Sequence, residues 1–220
     1  MTPLNVYVDA TATIICSLGM EAEDKSITCL ENGKWEPAGC SKKDTVVIAC
    51  DFEEQDQKNL CQWHSVGKAR YSWTRHNGET GTWYTGPDAD HSIGDYWGHY
   101  VYLEANAPAE HQDVAQFVLP SLTGNQEYCF QFWYHMYGSQ IVYMSIYLQD
   151  LTTKVTTEMT RILGNQRNSW HQATFNITSD VVQNDFSIGI ESERGLGTKG
   201  DYAIDDLIVT KGLCKGSQEH

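Results

Sequence analysis

Tyr128-Cys129-Phe130-Gln131-Phe132-Trp133-Tyr134-His135-Met136-Tyr137-Gly138 reads as one long aromatic strand ended by a glycine. Bulky aromatic side chains suit a pleated, half-buried surface, and a run of this length with a turn residue at its end is a strand signal. The same signal recurs on both sides of it. Residues 100–104 alternate, with Val101 and Leu103 on one face. Residues 115–119 form another run, ended by Pro120. Residues 141–148 follow the aromatic run after a short turn, which predicts a hairpin between the two. Residues 170–177, 186–191 and 202–209 continue the series, and residues 45–49 supply a first strand for the same domain. No segment sustains helical periodicity over three turns. Many short strands with regular turns predict an all-β chain, a jelly-roll antiparallel β-sandwich.

The 220 residues carry 29 acidic against 15 basic side chains, a formal net charge of −14. That sign disfavours a nucleic-acid partner, which calls for basic patches, and suits cationic partners or divalent ions. Seven cysteines among aromatic-rich strands point to an oxidising, extracellular compartment; the odd count leaves one without a partner in the chain. Met1-Thr2-Pro3-Leu4 lacks the basic start and apolar run of an export signal, and no stretch approaches the roughly 20 apolar residues of a membrane span. The expectation is a piece of a larger secreted or cell-surface protein, tied to a membrane only through parts outside this sequence. Asn176-Ile177-Thr178 is a glycosylation sequon that fits the same route.

From Cys50 onward, several motifs occur in order: Cys50-Asp51-Phe52-Glu53, Leu60-Cys61-Gln62-Trp63, Gly86-Pro87-Asp88-Ala89-Asp90-His91-Ser92, Gly98-His99-Tyr100-Val101-Tyr102-Leu103-Glu104, the aromatic strand, and Gly200-Asp201-Tyr202-Ala203-Ile204-Asp205-Asp206-Leu207. Together they resemble a MAM domain, the module of meprins, neuropilins and receptor tyrosine phosphatases, over residues 50–214. The resemblance implies the bonds Cys50–Cys61 and Cys129–Cys214. The spacing of these four cysteines matches no zinc ribbon.

Residues 1–40 read differently. Cys16, a glycine turn, Ile27-Thr28-Cys29, Asn32-Gly33-Lys34-Trp35 and Cys40 resemble the C-terminal half of a sushi (complement control) module, a small disulfide-linked β half-module. That resemblance implies Cys16–Cys40 and leaves Cys29 without its usual partner. Residues 41–49 are read as linker and strand entry, with 41–44 the polar connector, and residues 215–220 as a tail.

Asp51 and Glu53 flank an inward Phe52 at the first strand of the large domain. Asp205 lies in the last strand among apolar neighbours, and Asp90 in the Gly-Pro loop. Sandwiches often set first and last strands side by side, so these carboxylates can converge. Hard oxygen ligands suit Ca²⁺, and the expectation is a structural ion held by Asp51, Glu53, Asp90 and Asp205. The alternative is that they accept backbone hydrogen bonds or pair with Arg75 or Arg194. Trp133 and Trp170 are expected in the core. For Trp83, Tyr84 and Trp97 the expectation is partial burial beneath a long loop; exposed, they would stack on sugars or form a protein contact.

No His-Glu-x-x-His, Gly-x-Ser-x-Gly or phosphate-cradling loop occurs, and the histidines are scattered; His135 reads as a packed, hydrogen-bonded strand residue. The expectation is a non-enzymatic extracellular interaction or adhesion module. Its partners would be extracellular proteins, including a second copy as the MAM resemblance implies. The alternative is a carbohydrate-binding sandwich.

Overall fold

The computed structural model describes residues 9–53, 61–106 and 108–215, so residues 1–8 of the N-terminal segment and 216–220 of the tail lie outside the described residues. The chain divides into two compact units, 1–46 and 47–220.

In the first unit, β1 (Thr11–Thr13), β2 (Met20–Ala22), β3 (Ser26–Thr28) and β4 (Cys40–Lys42) form two small antiparallel ladders, β1 with β3 and β2 with β4. Cys16 and Cys40 are joined. Cys29 is buried and unpaired. Gly33 turns the chain at φ +75°, and the Lys34 amide donates to Asn32 Oδ1 at 3.0 Å, the local chemistry of an Asn-Gly turn. The segment read as a connector contributes Ser41 and Lys42 to β4, because Met20 and Glu21 need ladder partners there.

The second unit contains β5 (Val46–Cys50), β6 (His64–Gly67), β7 (Thr74–Asn77), β8 (His99–Leu103), β9 (Val114–Val118), β10 (Tyr128–Tyr137), β11 (Tyr143–Asp150), β12 (Thr156–Leu163), β13 (His171–Ile177), β14 (Phe186–Glu193) and β15 (Asp201–Lys211). Two sheets form an all-β sandwich. One has the order β13-β10-β15-β8-β7, with β5 also paired to β15; the other has the order β12-β11-β14-β9-β6. First and last strands of this unit are thus neighbours. The aromatic strand is not half of a hairpin. β10 is paired on both sides, by β13 and β15, so β11 has no edge to join and passes into the opposite sheet. β6, β7 and β12 carry little apolar alternation because they are sheet edges, β6 and β12 largely exposed and β7 half-buried.

Period-2 alternation builds the core. Met144, Ile146 and Leu148 of β11 and Phe186, Ile188 and Ile190 of β14 point inward from one sheet; Phe130, Phe132 and Met136 of β10 point inward from the other. Each such side chain contributes about 1.5–3 kcal/mol on burial. Phe52, held at φ 57°, meets Trp63 and Phe117 edge-to-face. Disulfides join Cys50 to Cys61 and Cys129 to Cys214, the second tying β10 to the end of β15.

The row of β10 that faces away from the core is also aromatic: Trp133, His135 and Tyr137 alternate with Phe132, Tyr134 and Met136. On β15, Tyr202 and Ile204 point inward, and then Leu207 and Val209 do. The parity changes at a bulge. Trp133 pairs with Asp205 and Gln131 with Ile208, so Asp206 and Leu207 together oppose Phe132, and Asp206 takes φ 44°. A bulge re-aims side chains, and here it lets two consecutive aspartates serve the same outer face.

Candidate functional site

The outer face of the six-stranded sheet is covered by the loop joining β7 to β8, residues 78–98. Its hold on the sheet runs through buried carboxylates of β15. Thr85 Oγ1 lies 2.7 Å from Asp201 Oδ2. The His91 amide donates to Asp205 Oδ2 at 2.8 Å, and the His91 ring Nδ1 lies 2.6 Å from Asp206 Oδ2. Ser92 Oγ donates to Asp206 Oδ1 at 2.6 Å. The His91 ring stacks on Trp133, with centroids 3.7 Å apart, and Trp170 Nε1 donates to the Ala89 carbonyl at 3.0 Å. Trp133 and Trp170 are therefore half-buried beneath the loop and not in the core: on β10 the inward row is the phenylalanine one, and Trp170, just before β13, is held by the Ala89 carbonyl of the loop. Inside the loop, Asp90 accepts from the Ile93 and Gly94 amides. A side chain at Gly98 would run into that carboxylate, at 2.0 Å from Oδ1, so the close approach requires glycine.

This anchorage presents four large aromatics to solvent: Trp83 (82% exposed), Tyr84 (75%), Tyr96 (62%) and Trp97 (74%). The expected partial burial does not occur, because the loop packs on the sheet through Thr85, Ala89, His91 and Ser92 and turns its aromatic tips outward. Tyr84 is held at φ 65°, a left-handed conformation that costs a bulky residue about 1–2 kcal/mol. The turn that imposes it is closed by Thr80 Oγ1 donating to the Thr85 carbonyl at 2.8 Å. Beside it opens a cavity of about 330 Å³, lined by Glu79, Trp83, Tyr84, Thr85, Asp88, Tyr137 and Asn168. His135 lies buried next to it; burial holds its ring down to about 4, and its Nε2 lies 3.0 Å from Asn168 Oδ1.

The four carboxylates picked out as ion ligands come from the end of β5, the loop and β15. Asp90 acts electrostatically on both Glu53 and Asp205, and Asp51 acts on Glu53. Burial, with the charges of Asp206 and Asp90, pushes Asp205 up to about 9 although two amides favour its anion. Burial, with Asp90 and Asp51, pushes Glu53 up to about 7 against the opposing His99 amide and Arg75. Arg75 donates to the Phe52 and Glu53 carbonyls, at 2.6 and 2.7 Å, and Arg194 to the Ala105 and Gly195 carbonyls. Electrostatically this acidic patch fits a hard cation. Geometrically, no three His, Cys, Asp or Glu side chains among the described residues come together as a metal cage.

Sequence reading missed Asp113. Buried, it accepts from Lys68 Nζ at 2.7 Å and Arg70 Nε at 2.7 Å, and these partners hold its carboxyl far below the usual range. Its one-residue signal, an Asp amid polar neighbours, is indistinguishable from a surface acid.

Residues 50–215 match the family described as MAM domain, meprin/A5/mu. The chain belongs to this family. The match begins at Cys50 and does not include the N-terminal unit. The MAM chain is similar to human MAM domain-containing protein 2, at 29% identity over 207 residues, covering 93% of this chain and 29% of that protein. It is similar to human MAM domain-containing glycosylphosphatidylinositol anchor protein 1, at 33% identity over 175 residues, covering 77% of this chain and 18% of that protein. The chain thus spans less than a third of the length of these relatives. In fold, its MAM unit resembles the K3 cleaved adhesin domain of Lys-gingipain from Porphyromonas gingivalis W83, with a TM-score of 0.50 at 12% identity, covering 76% of this chain and 98% of that domain. No helix among the described residues is long and apolar enough to cross a membrane.

Proposed function

We propose that this chain is a non-catalytic extracellular module that binds other proteins, a second copy of itself included, as part of a larger secreted or membrane-anchored protein. The observation that carries it is the group of exposed aromatics on residues 78–98, held outward by a loop bonded to buried aspartates of β15. Rigid, exposed aromatics are what protein interfaces bury at their centres. Relatives named as glycosylphosphatidylinositol anchor proteins support a cell-surface setting. Sedimentation velocity over a concentration series tests the reading: association is expected, unaffected by added sugars and weakened by Trp83→Ala and Trp97→Ala. A single concentration-independent species, with no binding to any cell-surface extract, overturns it.

A second reading is a carbohydrate-binding module, favoured by the same tryptophans acting as stacking platforms. Binding on a glycan array that Trp83→Ala or Trp97→Ala abolishes would establish it.

Three subsidiary assignments belong to the same proposal. Asn176 is exposed on the edge strand β13, where a glycan has room, although its Oδ1 accepts from the Cys214 amide at 2.8 Å. A structural Ca²⁺ beside Asp51, Glu53, Asp90 and Asp205 is supported by the raised carboxyls of Glu53 and Asp205 and opposed by the lack of a three-ligand cage among the described residues. The sushi assignment of the N-terminal unit is supported by its cysteine order, its Asn-Gly turn and the Cys16–Cys40 bond.

A further inference from the structure

We propose that the cavity beside Trp83 and Tyr84 receives an arginine side chain from a partner protein; this rests on the protein-binding reading above and names the chemistry recognised. The cavity is lined by three aromatic residues, Trp83, Tyr84 and Tyr137, and by two carboxylates, Glu79 and Asp88. Its volume of about 330 Å³ sits at the small end of ligand pockets, about 300–1,000 Å³, and fits one side chain. No basic residue lines it. The formal net charge of −14 favours a cation in the same direction.

The carboxylate of Asp88 is positioned, not merely present. The buried His135 sits with Nε2 3.0 Å from Asn168 Oδ1, and Asn168 Nδ2 donates to Asp88 Oδ2 at 3.0 Å. Since the amide oxygen only accepts, His135 Nε2 carries its proton. The chain His135–Asn168–Asp88 therefore runs donor to acceptor toward the cavity and ends on an anion. Because burial keeps His135 uncharged at neutral pH, this ring does not compete with a cation in the cavity. The left-handed Tyr84 turn, tied to Asp201 through Thr85, fixes the backbone that carries Trp83 and Tyr84.

Two carboxylates and three π faces make up most of this lining, and one of the two Asn168 amide hydrogens is engaged on Asp88. A sugar needs donors as well as acceptors from its site. A guanidinium needs only acceptors and a π face, stacks flat on indole or phenol rings, and binds a carboxylate in bidentate fashion. An ammonium is the weaker match because it is a point charge without a plane.

The test is an NMR titration of the full chain with acetyl-Gly-Arg-Gly-amide, the matched citrulline peptide and methyl pyranosides. The arginine peptide is expected to shift the Trp83 indole N–H and the Asn168 side-chain amide, with at least ten-fold weaker binding for citrulline and a loss on raising salt. Asp88→Asn and Glu79→Gln should each weaken it several-fold while melting temperatures stay unchanged. Equal binding of arginine and citrulline, shifts produced by a pyranoside instead, or unmoved Trp83 and Asn168 signals at tens of millimolar peptide would each overturn it. Sedimentation velocity separates the two claims: association that persists while the peptide fails to bind leaves the protein-binding reading standing and removes the arginine site alone.

Discussion

His91 and Asp206 meet ring to carboxylate, with Nδ1 2.6 Å from Oδ2, at the point where the covering loop joins the bulge of the last strand. An ionised carboxylate only accepts, so His91 carries its proton on Nδ1. The same histidine donates its amide to Asp205 and stacks on Trp133. One residue thus fastens the loop by three kinds of contact to two adjacent strands.

Asp206→Ala removes the acceptor for both His91 and Ser92 while leaving the Asp205 contact intact. The loop is expected to loosen by about 1–3 kcal/mol, with hydrogen exchange at the Ile93 and Gly94 amides accelerating accordingly. Asp206→Asn should cost less, because asparagine tolerates the left-handed backbone and can still accept one bond. Unchanged exchange in Asp206→Ala would show that the Asp205 and Asp201 contacts and the stacking on Trp133 suffice to hold the loop.

The pH dependence of stability follows mainly from three carboxyls and His135: the histidine, lowered from 6.5 to about 4, adds stability as pH rises through that window and partly offsets the raised carboxyls, which Asp201 and Glu104 reinforce. Asp205 and Glu53 are raised in the folded state, to about 9 and about 7, so folding takes up protons and stability falls as pH rises, from about 4 to 9 for Asp205 and from about 4.5 to 7 for Glu53. Asp113 is lowered, so its contribution is present above its unfolded value and is lost as pH falls below about 4. Urea midpoints measured without divalent ions should therefore peak on the acid side, near pH 4–5. Asp205→Asn should flatten the decline toward pH 9; one proton corresponds to about 1.4 kcal/mol per pH unit at most. If Ca²⁺ binds, about 10 mM should raise the midpoint more at pH 8 than at pH 5, and EDTA should reverse it. No difference between the two pH values counts against the ion.

How far these features are visible in the sequence depends on what each needs. The strand at 128–137 is legible because its residues cannot suit anything else, and Asp205-Asp206 is visible as an acid pair in an apolar strand. Which row of the aromatic strand faces inward is not legible, since Phe132 and Trp133 are both acceptable core residues. That ambiguity misplaces Trp133, while Trp170, just before β13, is misplaced because its cover comes from a loop some eighty residues earlier. The bulge at Asp206 is invisible for another reason: it exists only as a count of residues against Phe132 on β10. The same holds for the hairpin that does not form, since the occupancy of both edges of β10 is a property of the sheet. Exposure of Trp83 and Trp97 depends on Thr85 and His91 reaching aspartates more than a hundred residues away.

Cys129→Ser with Cys214→Ser opens a loop with a sequence separation of 85. Chain-entropy arguments put the loss at about 4–5 kcal/mol. The Asn176 bond to the Cys214 amide should fray with it. Urea unfolding of the double variant should show the lowered midpoint, and Cys50→Ser with Cys61→Ser, across a separation of 11, should cost less. An equal loss in both pairs would mean that native contacts at the bonds, and not chain entropy, dominate.

Tyr84→Asn separates stability from binding. The left-handed backbone at Tyr84 is unfavourable for an aromatic residue and ordinary for asparagine, so the substitution is expected to stabilise the fold by about 1 kcal/mol. The side chain itself is three-quarters exposed and contributes little packing to offset that gain. It does form a wall of the cavity, so self-association and arginine-peptide binding should both weaken. A higher melting temperature with reduced binding would identify the strain at Tyr84 as serving recognition. A lower melting temperature would instead assign the residue to holding the Thr80–Thr85 turn closed.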